Sequence, residues 1–215
     1  MITVSAHGHE QAAPRRQAGI LAHLANAITL SRIFLIPVFV VVFLDPTPYR
    51  SLMAAAVFGL AALTDAVDGY VARRWGTVTK LGKLLDPIAD KLLVLTALFL
   101  LVDFDRPDGS PRVEAWVAIV LAGRELAVTG LRAAAAREGI DLSPETTGKA
   151  KMGAQVVAIL FLILDEAVPA SLNFHYWGTV ILFVSLVLSL ISAAQYVRQF
   201  VLQMLPRGGA GSGGS

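Results

Sequence analysis

Apolar stretches close to the length of a membrane-spanning helix recur along the chain, separated by short polar breaks. A helix needs about 20 apolar residues to cross the hydrocarbon core of a bilayer. Hydrophobic residues make up 55% of the 215 residues, which exceeds the share usual in a soluble domain. We therefore predict an all-α, polytopic membrane protein with six transmembrane helices, at Ile28–Leu44, Leu52–Val71, Leu84–Val102, Ala115–Ala136, Ala150–Leu164 and Phe174–Phe200.

The two ends of the chain differ from its apolar centre. Residues 1–17 are polar and lack the apolar core of a signal peptide, and residues 205–215 form a Gly/Ser-rich tail that we expect to be flexible. The membrane domain therefore covers residues 18–204. Within it, residues 18–27 are mildly apolar and are expected to form either a short interfacial helix or an ordered lead-in.

The charges exclude some functions and orient the predicted spans. The chain has no cysteine, which excludes disulfides and thiolate metal sites, and its net charge of +2 does not suggest nucleic-acid binding. Basic residues concentrate at the termini and at the 2–3 and 4–5 connections, whereas the other connections are mainly acidic. By the positive-inside rule, both termini are expected to be cytoplasmic, in a protein integral to the inner or plasma membrane.

Four aspartates lie near the predicted cytoplasmic ends of spans 2 and 3. Asp65 and Asp68 are three residues apart and Asp86 and Asp90 are four apart, so each pair shares one helix face. Antiparallel neighbouring helices would direct all four carboxylates into one space, where cations must compensate their charge. Carboxylates without soft ligands favour Mg²⁺ or Mn²⁺, and two such ions can hold a pyrophosphate. The alternative is that these residues are helix caps and ion-pair partners.

Small residues accompany the aspartates. Gly69 and Ala72 lie on the face of the first pair, and Gly82 lies one turn before Asp86. Small side chains there would let a flat ligand approach, and Arg73 is spaced to contact a phosphate. Close packing of helices is the alternative reason for the two glycines.

Together these residues spell Asp65-x2-Asp68-Gly69-x2-Ala72-Arg73-x8-Gly82-x3-Asp86-x3-Asp90. The pattern resembles the complete signature of the CDP-alcohol phosphotransferase family, at all eight positions. The resemblance implies that the four aspartates bind two divalent metal ions, Mg²⁺ or Mn²⁺, and that Asp90 is also the general base that takes a proton from the acceptor hydroxyl. It implies a homodimer with six spans per protomer.

The same resemblance implies a site for the CDP-linked donor. Gly69, Ala72, Arg73 and Gly82 would line this site, and CMP would leave as a phosphodiester forms. Near the start of the first span, Thr29 and Arg32 are further candidates for contact with the donor, and Thr79 between spans 2 and 3 is a weaker one.

Flanking residues resemble phosphatidylglycerophosphate synthases within that family. They are the run from Gly82 to Lys91, Gly123-Arg124-Glu125-Leu126 continuing to Thr129-Gly130-Leu131-Arg132, and Gly148-Lys149-Ala150-Lys151. This similarity implies CDP-diacylglycerol as donor and glycerol 3-phosphate as acceptor. Arg124 and Arg132, which we expect to share a face of span 4, and Lys149 and Lys151 are the candidates for binding the acceptor phosphate. Alternatively, Arg124 pairs with an acid such as Glu125 and Arg132 extends to the interface.

Other functions stay open at this level. Inositol 1-phosphate or phosphatidylglycerol as acceptor would leave the motif unchanged. A metal- or proton-coupled transporter also carries intramembrane acids, although its site usually lies at the midplane between inverted repeats, and we find no repeat.

Overall fold

The computed structural model describes residues 31–75, 80–140, 142 and 147–204. This part of the chain is all-α and contains no strand. Its six α-helices and one short 3₁₀ helix follow one another in the order α1 (Ser31–Phe43), α2 (Pro48–Trp75), α3 (Lys80–Asp103), α4 (Ala115–Arg137), α5 (Thr147–Leu164), the 3₁₀ helix (Ala170–Leu172) and α6 (Phe174–Met204).

α2 and α4 extend beyond the apolar runs from which the spans were predicted, and capping interactions define where they begin or end. At the start of α2, the Arg50 amide donates to Thr47 Oγ1, and Pro48 occupies the first helical position, where its missing N–H costs nothing. At the end of α4, Ile140 and Gly139 donate to the carbonyls of Ala135 and Ala136. This pair of bonds is a Schellman motif, which requires the positive φ of 67° that Gly139 adopts.

Three connections meet at one end of the bundle. Arg106, after α3, pairs with Asp165, after α5, at 2.9 Å. Asp165 also accepts a hydrogen bond from the amide of His175 in the first turn of α6, at 3.0 Å. The ring of Phe43, the last residue of α1, lies edge-on to that of Phe104. The ends of α1, α3 and α5 therefore lie together, so consecutive helices alternate in direction.

Two further arginines stabilise this end. Arg112 is 1% exposed, donates to the Phe104 carbonyl at 3.0 Å and pairs with Glu166. Arg50 pairs with Asp45 at 3.0 Å and also donates to two carbonyls of the last turns of α1. These bonds satisfy carbonyls that a helix end leaves without partners.

The hydrophobic core is contributed by all six helices and by the residues between α3 and α4. α5 and α6 approach each other closely at Gly178, where a Cβ would lie 2.8 Å from Leu162 Cγ and 3.1 Å from Phe161 Cβ. Only a glycine permits this approach of the two helices.

Among the described residues, the segment Ala170–Met204 is long and apolar enough to cross a membrane. Ser31–Phe43 and Lys151–Leu164 are shorter apolar helices. The prediction of an all-helical chain is therefore confirmed at six helices, and six membrane crossings stay a prediction. Pro87 lies inside α3 and does not begin it. Residues 18–27 lie outside the described part.

Candidate active site

The four aspartates occupy matching positions on α2 and α3. Asp65 lies ten residues before the last residue of α2, and Asp90 lies ten residues after the first residue of α3. For Asp68 and Asp86 the corresponding separations are seven and six residues. Each residue advances a helix by about 1.5 Å. Asp65 and Asp90 therefore lie at nearly equal distances from the connection at residues 76–79, and so do Asp68 and Asp86. The side chains of the four aspartates lie outside the described part of the chain.

The predicted donor-site positions are divided between described helices and residues outside them. Gly69, Ala72 and Arg73 belong to α2, and Gly82 belongs to α3. Thr29 and Thr79 lie outside the described residues, as do the side chains of Ala72 and Arg73. Arg32 belongs to α1 and is fully buried.

A cavity of about 160 Å³ lies between α3, α4 and α5. Its described polar lining consists of Lys91, Glu125, Lys151 and Gln155. Val94, which also lines it, lies one turn after Asp90 on α3, since residues four apart lie above one another on a helix. The face that carries Asp86 and Asp90 therefore continues into the cavity wall.

Charged side chains of α3 and α4 meet at this cavity. Lys91 Nζ lies 3.9 Å from Glu125 Oε2 and also contacts the hydroxyl of Thr129. Glu125 accepts a hydrogen bond from Arg124 Nη1. One carboxylate thus lies between two cations. The sequence-based alternative that Arg124 pairs with Glu125 is confirmed.

The expected shared face of Arg124 and Arg132 is wrong. Arg124 is 6% exposed, and its Nε donates to the Ser189 carbonyl of α6 at 3.0 Å, whereas Arg132 is exposed. Eight residues rotate by about 800° around the helix axis, which is two full turns plus about 80°. The two side chains therefore point in directions about 80° apart. Arg124 therefore faces α6, and Arg132 does not.

Of the two candidate lysines in α5, Lys151 is the one whose side chain belongs to the described part of the chain. Lys151 lines the cavity, and its carbonyl accepts a hydrogen bond from Ser185 of α6 at 3.1 Å. Lys149 belongs to α5, and its side chain lies outside the described part. The structure thus brings Lys151 together with Lys91 and Glu125 around one space.

Sequence reasoning missed three polar residues of this cavity as site residues, namely Lys91, Glu125 and Gln155. Lys91 follows Asp90 directly, and Gln155 lies one helical turn after Lys151. That i, i+4 spacing was the available signal for Gln155. Spacing alone could not identify the face of α5 that borders α3.

The connections that follow α1, α3 and α5 contain a second, larger cavity of about 660 Å³ at the opposite end of the bundle. Arg106, Asp108, Asp165 and Glu166 line it and are held by hydrogen bonds to one another or to neighbouring residues of these connections. It is separated from the aspartate end by the length of the helices.

Comparison with known proteins identifies the family. Residues 22–191 match the CDP-alcohol phosphatidyltransferase family. A CDP-diacylglycerol–glycerol-3-phosphate 3-phosphatidyltransferase of Bacillus subtilis (strain 168) is 39% identical, over 81% of this chain and 93% of the relative. Proteins with the same name are 33% identical in Rickettsia bellii (strain RML369-C), over 82% and 94%, and 36% identical in Salmonella paratyphi A, over 81% and 93%. The chain is therefore a transferase that belongs to the CDP-alcohol phosphatidyltransferase family.

Proposed function

We propose that this protein transfers a phosphatidyl group from CDP-diacylglycerol to sn-glycerol 3-phosphate, giving phosphatidylglycerophosphate and CMP. The observation that carries this proposal is the position of the eight-residue signature on the adjoining ends of α2 and α3. The names of relatives 33–39% identical over most of the chain supply the donor and the acceptor. Family membership favours this activity over a transporter.

The donor set fits two divalent ions. Asp65, Asp68, Asp86 and Asp90 offer only carboxylate oxygens, the ligands that Mg²⁺ and Mn²⁺ prefer. Their matched distances from the α2–α3 connection support a common site. The chemistry that two such ions supply is stabilisation of negative charge on a diphosphate as it is cleaved.

In the proposed reaction, Asp90 acts on the acceptor. An alcohol is a weak nucleophile, so its attack requires a base that takes the hydroxyl proton. The Asp90 carboxylate takes that proton as the acceptor oxygen bonds to the phosphorus that carries diacylglycerol. The bond from this phosphorus to the bridging oxygen breaks, and the electron pair leaves on CMP.

Other residues of the same helix ends are proposed to hold the donor. Gly69, Ala72 and Gly82 leave room for the cytidine diphosphate, and Arg73 contacts its phosphates. Thr29, Arg32 and Thr79 are the further proposed contacts. Burial of Arg32 in α1 is compatible with a structural role as well as with contact to the donor diphosphate.

The acceptor phosphate is proposed to bind at the edge of the cavity between α3, α4 and α5. Among the residues that the structure describes, Lys91, Arg124 and Lys151 bring three positive charges to this region, against the carboxylate of Glu125. The excess of positive charge favours a phosphate monoester over a neutral alcohol. Lys149 at the start of α5 and the exposed Arg132 of α4 are proposed to attract the acceptor from solution.

All six helices are proposed to cross the inner or plasma membrane, with both termini and the aspartate end at the cytoplasmic face. The opposite end carries the three arginines Arg50, Arg106 and Arg112, fewer basic residues than the connections and termini at the aspartate end, which supports its assignment to the outer face. Because α6 exposes many large apolar side chains, we propose that it contacts lipid or the second protomer of a homodimer.

The test is release of CMP by the purified protein, supplied with CDP-diacylglycerol, Mg²⁺ or Mn²⁺, and one acceptor at a time. We expect turnover with glycerol 3-phosphate and at most slow turnover with inositol 1-phosphate or phosphatidylglycerol. Preferential use of inositol 1-phosphate would replace the proposed acceptor. CMP release that is unchanged by EDTA would contradict the role of the metal ions.

A further inference from the structure

Gln155 of α5 has a buried amide nitrogen with no hydrogen-bond partner among the residues that the structure describes. The residue is 6% exposed and lines the cavity between α3, α4 and α5. Native proteins pair nearly all of their buried polar groups. An unpaired donor at a cavity wall therefore indicates a ligand that brings an oxygen to this position.

The cavity has a suitable position and size for part of a small acceptor. Val94, which belongs to its wall, lies one helical turn after Asp90, the proposed general base. Its volume of about 160 Å³ is similar to that of a cavity of about 150 Å³ that accommodates benzene. A glycerol unit has as many non-hydrogen atoms as benzene, whereas an acyl chain would not fit.

The polar side chains of the cavity differ in the groups that they can bind. The ammonium groups of Lys91 and Lys151 donate only and suit a phosphate. The amide of Gln155 is neutral and both donates and accepts, which suits a hydroxyl group. Lys151 and Gln155 are one turn apart on α5, so one small molecule can contact both.

We infer that Gln155 binds the hydroxyl of the acceptor that does not react, and thereby selects a polyol phosphate with two hydroxyl groups. This inference rests on the proposed function. Glycerol 3-phosphate carries a primary hydroxyl, which is the less hindered nucleophile, and a secondary hydroxyl. In this arrangement Lys151 holds the phosphate, Asp90 accepts the proton of the primary hydroxyl, and the Gln155 amide hydrogen-bonds to the secondary hydroxyl.

The experiment compares glycerol 3-phosphate with 3-hydroxypropyl phosphate, which lacks only the secondary hydroxyl. For each acceptor, kcat/KM is measured by CMP release in the wild type, in Gln155→Met and in Gln195→Met. Methionine is close to glutamine in length and shape but has no amide. Gln195 is exposed on α6 and provides the matched control.

The wild type and Gln195→Met are expected to prefer glycerol 3-phosphate about tenfold, the usual worth of one hydrogen bond. Gln155→Met should use both acceptors equally, because its side chain has no group that distinguishes them. Retention of the wild-type preference by Gln155→Met would overturn the inference, as would equal use of both acceptors by the wild type.

Two further outcomes are distinguishable. If Gln155→Met does not yield folded protein, Gln155→Leu and the wild-type preference carry the same test. Absence of CMP release by the wild type with both acceptors would overturn the proposed function, and this inference with it. Activity that is retained with no acceptor preference would overturn the inference alone.

Discussion

Nε of Arg124 in α4 donates a hydrogen bond to the main-chain carbonyl oxygen of Ser189 in α6, at 3.0 Å. The other side of the same guanidinium contacts Glu125, which lines the cavity between α3, α4 and α5. Arg124 thus links α6 to the cavity wall, and the bond to Ser189 fixes where its charge lies. A planar group with several donors can maintain both contacts, whereas a lysine ammonium on a flexible chain cannot.

Arg124→Lys is therefore expected to retain the charge but lose its position. Loss of a charged hydrogen bond costs about 1.5–3 kcal/mol, so we expect KM for glycerol 3-phosphate to rise about tenfold or more and KM for CDP-diacylglycerol to stay unchanged. Steady-state kinetics of CMP release measure both constants. Arg137→Lys, at the exposed end of α4, is the matched control. An unchanged KM for the acceptor in Arg124→Lys would mean that Arg124 has only a structural role.

At the opposite end of the bundle, Arg112→Met is expected to reduce stability without a direct effect on chemistry. Arg112 is buried, pairs with Glu166 and lies 5.8 Å from the centre of the Phe43 ring. Removing one partner leaves a carboxylate unpaired, at a cost of about 3 kcal/mol. Thermal unfolding of purified protein should show a lower Tm than that of Arg137→Met, and activity per folded molecule should be retained. Equal Tm values for the two variants would contradict this role.

Two glycine-to-alanine substitutions are expected to have opposite effects on stability, because the two glycines differ in the space around them. In Gly178→Ala the new Cβ would lie 2.8 Å from Leu162 Cγ, so the helices must separate, at a cost of about 1–3 kcal/mol. At Gly130 of α4 a Cβ meets no atom within 4 Å, and alanine there should raise stability by about 0.5–1 kcal/mol. Thermal unfolding of both variants measures the contrast, and a Gly178→Ala Tm at or above the wild-type value would refute it.

The connection between α3 and α4 should contribute to acid sensitivity. Hydrogen bonds from the side chain and the amide of Ser110, together with the nearby Arg106, lower the pKa of Asp108 below its ordinary value of 3.8. A lowered folded-state pKa means that ionised Asp108 stabilises the fold above that ordinary value, and that the contribution is lost as pH falls through the lowered pKa. Asp108→Asn should therefore have a lower Tm than the wild type near neutral pH.

In a pH series the two Tm values are expected to converge as the pH falls from about 3.8 through the lowered pKa of folded Asp108, below which the wild-type carboxyl is also neutral. Arg50→Gln at another ion pair of this end should show whether loss of any surface pair has the same effect. A Tm difference between Asp108→Asn and the wild type that does not change with pH would exclude ionisation of Asp108 as the cause.

The parts of the fold that depend on local sequence could be predicted. The aspartate signature is encoded by three- and four-residue spacings, and the described helices α2 and α3 carry it as expected. The predicted start of span 2 at Leu52 was late, because the cap at Thr47 and Pro48 lies outside the apolar run that marked the span.

Long-range partners could not be predicted in the same way. Arg106 and Arg112 lie between α3 and α4, yet their partners Asp165 and Glu166 lie more than 50 residues further along the chain. Gln155 was missed for a similar reason. Its importance depends on which face of α5 borders α3 and α4, and an apolar helix with few polar residues does not indicate this.

We propose that carboxylates on the ends of α2 and α3 perform phosphatidyl transfer, with Asp90 as the base. The most direct measurement is CMP release from CDP-diacylglycerol and glycerol 3-phosphate by the wild type and by Asp90→Asn, each purified and matched for Tm, with saturating Mg²⁺ or Mn²⁺. We expect kcat of Asp90→Asn to fall by about 10²–10⁴-fold, while Asp108→Asn at the opposite end keeps wild-type turnover. Full turnover by folded Asp90→Asn would contradict the role of Asp90 as general base.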